Sequence, residues 1–207
     1  NAKIKADPKR RNVFISSMDD FATFKSKLIA KKLDLSERKR LLDLGGGPGT
    51  YSIEFVKTNP ELESAVFDLK EVLTITRRFL RKAEVGKRVK TIEGECLSDD
   101  YGKNLYDVVF VSNLLHMYDE PVCRQIIKKC KTALTEKGMI VIHDFKLDST
   151  MTKSPFSAIF SLNMLLGTHG GRNYSVEEYK TWLKKAGFKK LNDIQIDTNS
   201  VLVTGFK

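Results

Sequence analysis

Apolar residues follow two rhythms that alternate along the chain. "RLLDL" (40–44), "SAVFDL" (64–69), "RVKTIEG" (88–94), "YDVVFVSNLL" (106–115) and "GMIVIHDF" (138–145) are short runs that read as strands, and the longer ones suit a sheet buried on both faces. Between them the period lengthens to that of a helix: "TYSIEFVKTN", stopped by Pro60, then a segment from about Glu71 to Ala83 and another from about Glu120 to Leu134. Strands separated by helices of this length specify right-handed crossovers and a parallel, doubly wound α/β sheet.

Both flanks carry further elements. Upstream, "SSMDDFATFKSKLIAKKL" has helical spacing, with Met18, Phe21, Phe24, Leu28 and Ile29 on one stripe and Asp19 and Asp20 near its start. Downstream, "PFSAIFSLNMLL" reads as an apolar helix, and "SVEEYKTWLKKAGF" as an amphipathic one capped by Ser175 with Gly187 near its end. The tail, "KKLNDIQIDTNSVLVTGF", alternates like two strands joined at Thr198-Asn199, and no internal repeat or low-complexity linker interrupts the chain.

Composition limits the class. With 207 residues, 41% apolar and 30% charged, the chain matches one globular α/β domain and excludes disordered and collagen-like classes. No apolar run approaches the roughly 18 residues of a membrane helix, and the basic start "NAKIKADPKRRN" lacks the apolar core of a secretion signal. A cytoplasmic protein with no membrane partner is expected. Because the chain begins with Asn1 rather than Met, we also expect a processed or truncated chain with a segment upstream.

Cys96, Cys123 and Cys130 form no CxxC pair, and none of His116, His143 and His169 stands at a zinc-site spacing from a cysteine, so free core thiols and no metal are expected. The formal charge of +10 suggests nucleic acid until it is mapped: residues 1–40 hold 12 Lys and Arg against 5 Asp and Glu. That excess reads as the solvated face of a helix and its turn rather than as a nucleic-acid footprint.

The chemistry points to "LLDLGGGPGTY" (41–51), which puts four glycines directly after a strand. In a doubly wound sheet, ligands bind beyond the carboxyl ends of the strands, and a bare-backbone turn leading into a helix suits a nucleotide-type ligand. A dinucleotide G-x-G-x-x-G fails, because Thr50 and Ser52 stand where the third glycine would be needed, and no Lys-Ser/Thr follows as a P-loop requires. What remains is D-x-G-x-G-x-G, with Asp43, Gly45, Gly47 and Gly49. Asp68, at the end of the second strand, is placed to accept ribose hydroxyls; a helix cap is the plainer alternative.

The glycine pattern resembles motif I of class I S-adenosylmethionine-dependent methyltransferases. With "FISSMDDF", "VFDL", "GECL", "SNLLHMYDE", "KGMIVIHDF" and "NMLLGTHGGRNYSVEEYKTWLKKAGF" in that order, residues 13 to 195 resemble the small-molecule O-methyltransferases of plant phenolics and of bacterial polyketides and pigments. The resemblance implies a Rossmann-like, mostly parallel seven-stranded sheet with an antiparallel last strand. It also implies a helical extension over 1–36 and a methyltransferase domain over 37–207. S-adenosylmethionine would be the cofactor and S-adenosylhomocysteine its product, with Asp68, Leu69, Glu95, Cys96 and Ser112 joining the loop in cofactor binding.

By the same resemblance His116 is the general base and Asp144 the acid that holds it. A phenol of pKa about 10 is a poor nucleophile, and an imidazole of about 6.5 can take its proton as the methyl transfers. Two departures stand out: "HMYDE" is one residue shorter than the usual stretch, and Asn173 occupies the second acidic position. Phe14, Met18 and Met164 match acceptor-pocket positions, although core packing explains them equally well. Relatives usually carry an N-terminal dimerisation domain, so a homodimer is expected if one lies upstream. The main expectation is methyl transfer to a small aromatic hydroxyl; methylation of RNA or another macromolecule, and a noncatalytic S-adenosylmethionine-binding module, are the alternatives.

Overall fold

Asp7 and Pro8 start the first helix. The Asp7 carboxylate accepts from the amides of Lys9 and Arg10 at 2.9 and 3.2 Å, and Pro8 takes the first helical position, where no amide is needed. In this computed structural model, which describes residues 7–148, 150 and 154–207, helix α1 therefore spans Pro8–Lys32 and begins well before the expected Ser16. Its buried line is Ile15, Ala22, Ser26 and Ile29, with Met18 and Leu28 half-buried. Phe21 and Phe24 are 74% and 69% exposed, which corrects the expected stripe. Small Ala22 and Ser26 face the protein instead, and the two rings lie away from it.

The fold is a seven-stranded mixed sheet with flanking helices, and the chain divides into two compact units, Asn1–Asp99 and Asp100–Lys207. In the first unit β1 (Arg40–Leu44), β2 (Glu63–Asp68) and β3 (Val89–Glu93) run in parallel in the order β3-β2-β1. Asp43 pairs in register with Val66, and Asp68 with Glu93, so the carboxyl ends of all three strands reach one edge. Helices α2 (Thr50–Thr58) and α3 (Lys70–Lys82) connect them around a core of Val56, Val66, Leu73, Leu80, Val85 and Val89. Helix α1 joins this unit through Ile15, which packs with Val72 and Ile75 of α3.

In the second unit the order is β4 (Tyr106–Ser112), β5 (Leu134–Phe145), β7 (Ser200–Phe206), β6 (Lys189–Gln195). β4 and β5 are parallel, whereas β7 runs antiparallel to both β5 and β6, which gives the two tail strands read from the alternation and the antiparallel last strand that the resemblance implies. β4 ends at Ser112, short of the expected Leu115, because Asn113 turns into the left-handed region (φ 50°) and Leu115–Met117 wind into a 3₁₀ turn. β5 starts at Leu134, earlier than the expected Gly138.

Among the described residues, α4 (Glu120–Ala133), α5 (Pro155–Gly167) and α6 (Val176–Lys185) are the α-helices of this unit. α6 opens on a reciprocal capping box between Ser175 and Glu178. Among the described residues, no helix is long and apolar enough to cross a membrane.

Candidate active site

The glycine loop of the first unit is held open by its own backbone. Gly45, Gly47 and Gly49 have φ of 67°, 54° and 81°, a region that side chains disfavour, and the Gly49 amide closes a turn onto Gly46 O at 2.9 Å. The Gly45 amide bonds Phe67 O at 2.8 Å, and the Gly47 amide bonds Asp68 Oδ2 at 2.9 Å, tying the loop to the end of β2. Thr76 of α3 donates to Gly47 O at 2.6 Å. A Cβ built on Gly47 would meet nothing within 4 Å, whereas one on Gly46 would stand 2.6 Å from Asp43 Cγ.

Asp43 thus lies beneath the loop. Its Oδ2 accepts from Ser52 at 2.7 Å, the Ser52 hydroxyl shares a second bond with Ser64 at 2.8 Å, and Oδ1 is buried with no hydrogen-bond partner. Burial pushes its carboxyl up to about 7, against the Ser52 hydrogen bond and with a further push from Asp68.

Asp68 is half-buried at the strand edge and is not the cap of α3; that place belongs to Leu69, whose amide donates to Asp68 Oδ1 at 2.7 Å. Burial raises Asp68 to about 6, the Gly47 and Leu69 amides oppose the rise, and the nearby Glu95 carboxylate adds to it. Each Asp68 oxygen keeps an acceptor site beyond its amide, as two vicinal hydroxyls require. Glu95 is half-buried, its amide bonded to Asp99 Oδ2 at 2.8 Å, and Cys96 is buried beside it. An open backbone turn with a free-standing Gly47 and an accepting Asp68 at its rim fits an adenosyl group.

The second unit carries a buried histidine–carboxylate pair. His116 sits in the 3₁₀ turn after β4, 5% exposed, and its Nδ1 lies 2.7 Å from Asp144 Oδ1 at the end of β5. Asp144 Oδ1 also accepts the Phe145 amide at 2.8 Å, and Oδ2 accepts the Tyr179 hydroxyl at 2.8 Å. Burial pushes Asp144 up, but His116, Tyr179 and the Phe145 amide together outweigh it and hold the carboxyl below its ordinary value. An ionised carboxylate can only accept, so Nδ1 donates to Asp144 and Nε2 is the ring nitrogen left to face a substrate. Phe145 stacks on the imidazole at 5.9 Å, and Phe160 meets it edge-on at 5.3 Å.

The other expected residues distribute between the units. Ser112 Oγ bonds His143 Nδ1 at 2.8 Å in the second unit. Asn173 is 1% exposed; its Nδ2 donates to Ser157 O at 2.6 Å, and its Oδ1 has no hydrogen-bond partner. Phe14 is 46% exposed on α1, with Met18 half-buried one turn on, and Met164 is half-buried on α5. Tyr179 and Gly171 were not singled out from the sequence, and Cys123 was read only as a core thiol. Tyr179 stood on the apolar face of a helix, where a buried hydroxyl signals an undeclared partner. Cys123 Sγ donates to Leu115 O at 3.1 Å and so braces the His116 turn.

The profile of the O-methyltransferase domain family matches residues 2–189. The 3-hydroxy-5-methyl-1-naphthoate 3-O-methyltransferase of Streptomyces sahachiroi is 31% identical over 90% of this chain and 53% of its own length. The S-adenosyl-L-methionine-dependent methyl transferase PigF of Serratia sp. is 28% identical over 91% of this chain and 56% of its own length. PigF solved with SAH gives a TM-score of 0.88 at 25% identity, covering 100% of this chain and 61% of that one. The O-methyltransferase family 2 protein of Planctomyces limnophilus, solved in complex with apigenin, gives 0.90 at 28% identity over 97% of this chain and 61% of that one. The chain therefore spans little more than half the length of these relatives. By the profile that matches nearly all of it, the chain belongs to the O-methyltransferase domain family.

Proposed function

We propose that the chain transfers a methyl group from S-adenosylmethionine to the hydroxyl of a small aromatic acceptor, with His116 as general base. The 2.7 Å bond between His116 Nδ1 and Asp144 Oδ1 carries this reading, because it leaves Nε2 as a directed proton acceptor. The hydroxynaphthoate named for the Streptomyces relative and the apigenin bound to the Planctomyces protein support a phenolic acceptor.

Gly45, Gly47 and Gly49 hold the adenosyl group by close backbone approach, and Asp68 accepts its ribose hydroxyls. Leu69, Glu95 and Cys96 supply the adenine side, and Asp43 supports the loop from beneath. S-adenosylmethionine supplies a methyl carbon already activated by its sulfonium. With that group bound, Nε2 of His116 would take the proton of the acceptor hydroxyl as its oxygen is methylated, leaving S-adenosylhomocysteine. The Asp144 carboxylate offsets the charge of the imidazolium so formed. Met164 and Asn173, in the same unit as His116, contribute to the acceptor wall. Residues 37–207 form the domain that carries the reaction, and Cys96, Cys123 and Cys130, which form no disulfide with one another, suit a cytoplasmic protein.

The test pairs calorimetry with S-adenosylhomocysteine against a radiolabelled methyl screen on hydroxylated naphthoates and flavones. Binding together with label incorporated into a phenol supports the proposal. Binding with no incorporation on any member of the panel overturns it in favour of a noncatalytic module.

A further inference from the structure

The carboxylate that orients His116 is itself held from a second side. Tyr179 is fully buried on α6, and its hydroxyl donates to Asp144 Oδ2 at 2.8 Å while Oδ1 serves His116 and the Phe145 amide. Turning the carboxylate would strand at least one buried donor, which is unfavourable by about 1–3 kcal/mol per group. The family's second acidic position falls on Asn173, which carries no charge and donates its amide to Ser157 O on α5, so Asp144 is the acid bonded to the imidazole. The ring of Tyr179 is fixed in turn by edge contacts with Tyr174 at 6.0 Å and Trp182 at 5.5 Å.

We propose that Tyr179 is a positioning residue for proton transfer: its hydroxyl locks the Asp144 carboxylate and draws negative charge from it, which sets how strongly His116 holds its proton. This rests on the reading of His116 as general base. A phenylalanine would fill the same space without burying a hydroxyl, so the bond to Asp144 is what distinguishes tyrosine here.

The other titratable groups around the pair are held in one protonation state. Tyr179, from α6, is held well above its ordinary value by burial and by the Asp144 charge, so it remains a donor. Cys123, from α4, is pushed up to about 12 by burial and stays a thiol, and burial likewise raises Tyr174. Arg172, ahead of α6, stays charged through its hydrogen bond to Glu178, and Asp119 caps α4. On the ring faces, Phe145 and Phe160 bring no charge.

The experiment is an NMR titration of labelled histidine in the wild-type chain and in Tyr179→Phe, with the His116 signal assigned by its loss in His116→Gln. Without the hydroxyl, Asp144 keeps more charge toward Nδ1 and stabilises the imidazolium, so His116 titrates higher by at least about half a pH unit. The acid limb of kcat/KM moves up by the same amount. In an Asp144→Asn background, Tyr179→Phe shifts the titration no further. An unchanged or lowered titration, or an equal shift with Asp144 already neutralised, overturns the proposal. The NMR readout needs no turnover, so a protein that transfers no methyl would sink the general-base reading while still deciding the role of Tyr179.

Discussion

Gly171 lies against the main chain of His116: a Cβ on Gly171 would stand 2.5 Å from the His116 carbonyl oxygen and 2.8 Å from the Met117 carbonyl carbon. The turn is also braced by Cys123 at Leu115 O and by the Tyr174 hydroxyl at Tyr118 O, 2.6 Å away, so it cannot yield freely. Gly171→Ala should therefore displace the imidazole. We expect a loss of about 1–3 kcal/mol in thermal stability and a fall in kcat, with affinity for S-adenosylhomocysteine retained, measured by denaturation, kinetics and calorimetry.

The glycine loop makes an ordering prediction. Gly46→Ala drives a methyl into the Asp43 carboxylate, 2.6 Å from its Cγ, whereas Gly47→Ala meets no atom and bears only the strain of φ 54°. The strain is about 1–2 kcal/mol. Calorimetry with S-adenosylhomocysteine should show a larger loss of affinity for Gly46→Ala than for Gly47→Ala; the reverse order would contradict the observed loop.

Cofactor affinity should depend on pH through Asp68. Its carboxyl, raised to about 6 by burial, is protonated in a growing fraction of molecules as pH falls through that value. Hydroxyl donors favour the ionised form, so binding releases a proton in this range. S-adenosylhomocysteine should bind progressively more weakly from pH 7 to 5, by up to about tenfold per unit below the midpoint. Asp68→Asn should abolish the slope.

Asp43 makes the opposite kind of statement, about stability. Its folded value of about 7 lies above the ordinary carboxyl value of 3.8, so the folded state binds its proton more tightly than the unfolded one. Its favourable contribution is present at low pH and is lost as pH rises through about 7. Asp144 has the reverse sign: its value is lowered, and its contribution is lost only in acid, as pH falls through the folded value. Thermal denaturation of Asp43→Asn should accordingly show a gain over wild type that is larger at pH 8 than at pH 5.

Much of this framework was legible in local pattern. Contiguous apolar runs gave the strands, Ser175 with Glu178 gave the start of α6, and the glycines after β1 with Asp68 after β2 gave the loop and the residue that grips it. What was missed depended on neighbours. Phe21 and Phe24 share helical spacing with Met18, yet the face toward α3 is chosen by Ile15 and by small residues that allow approach. The Asp7-Pro8 start of α1 was a readable cap hidden in a stretch taken for its charge. Tyr179 read as core, because no spacing along one chain reveals that a hydroxyl on α6 meets a carboxylate on β5.

The most direct test of the account is His116→Gln, which keeps a polar side chain of similar reach and removes the titrating base. The account predicts that S-adenosylhomocysteine binds within about twofold of wild type while kcat on a phenolic acceptor falls at least about 100-fold. Turnover preserved at the wild-type level, with the same pH profile, would contradict it.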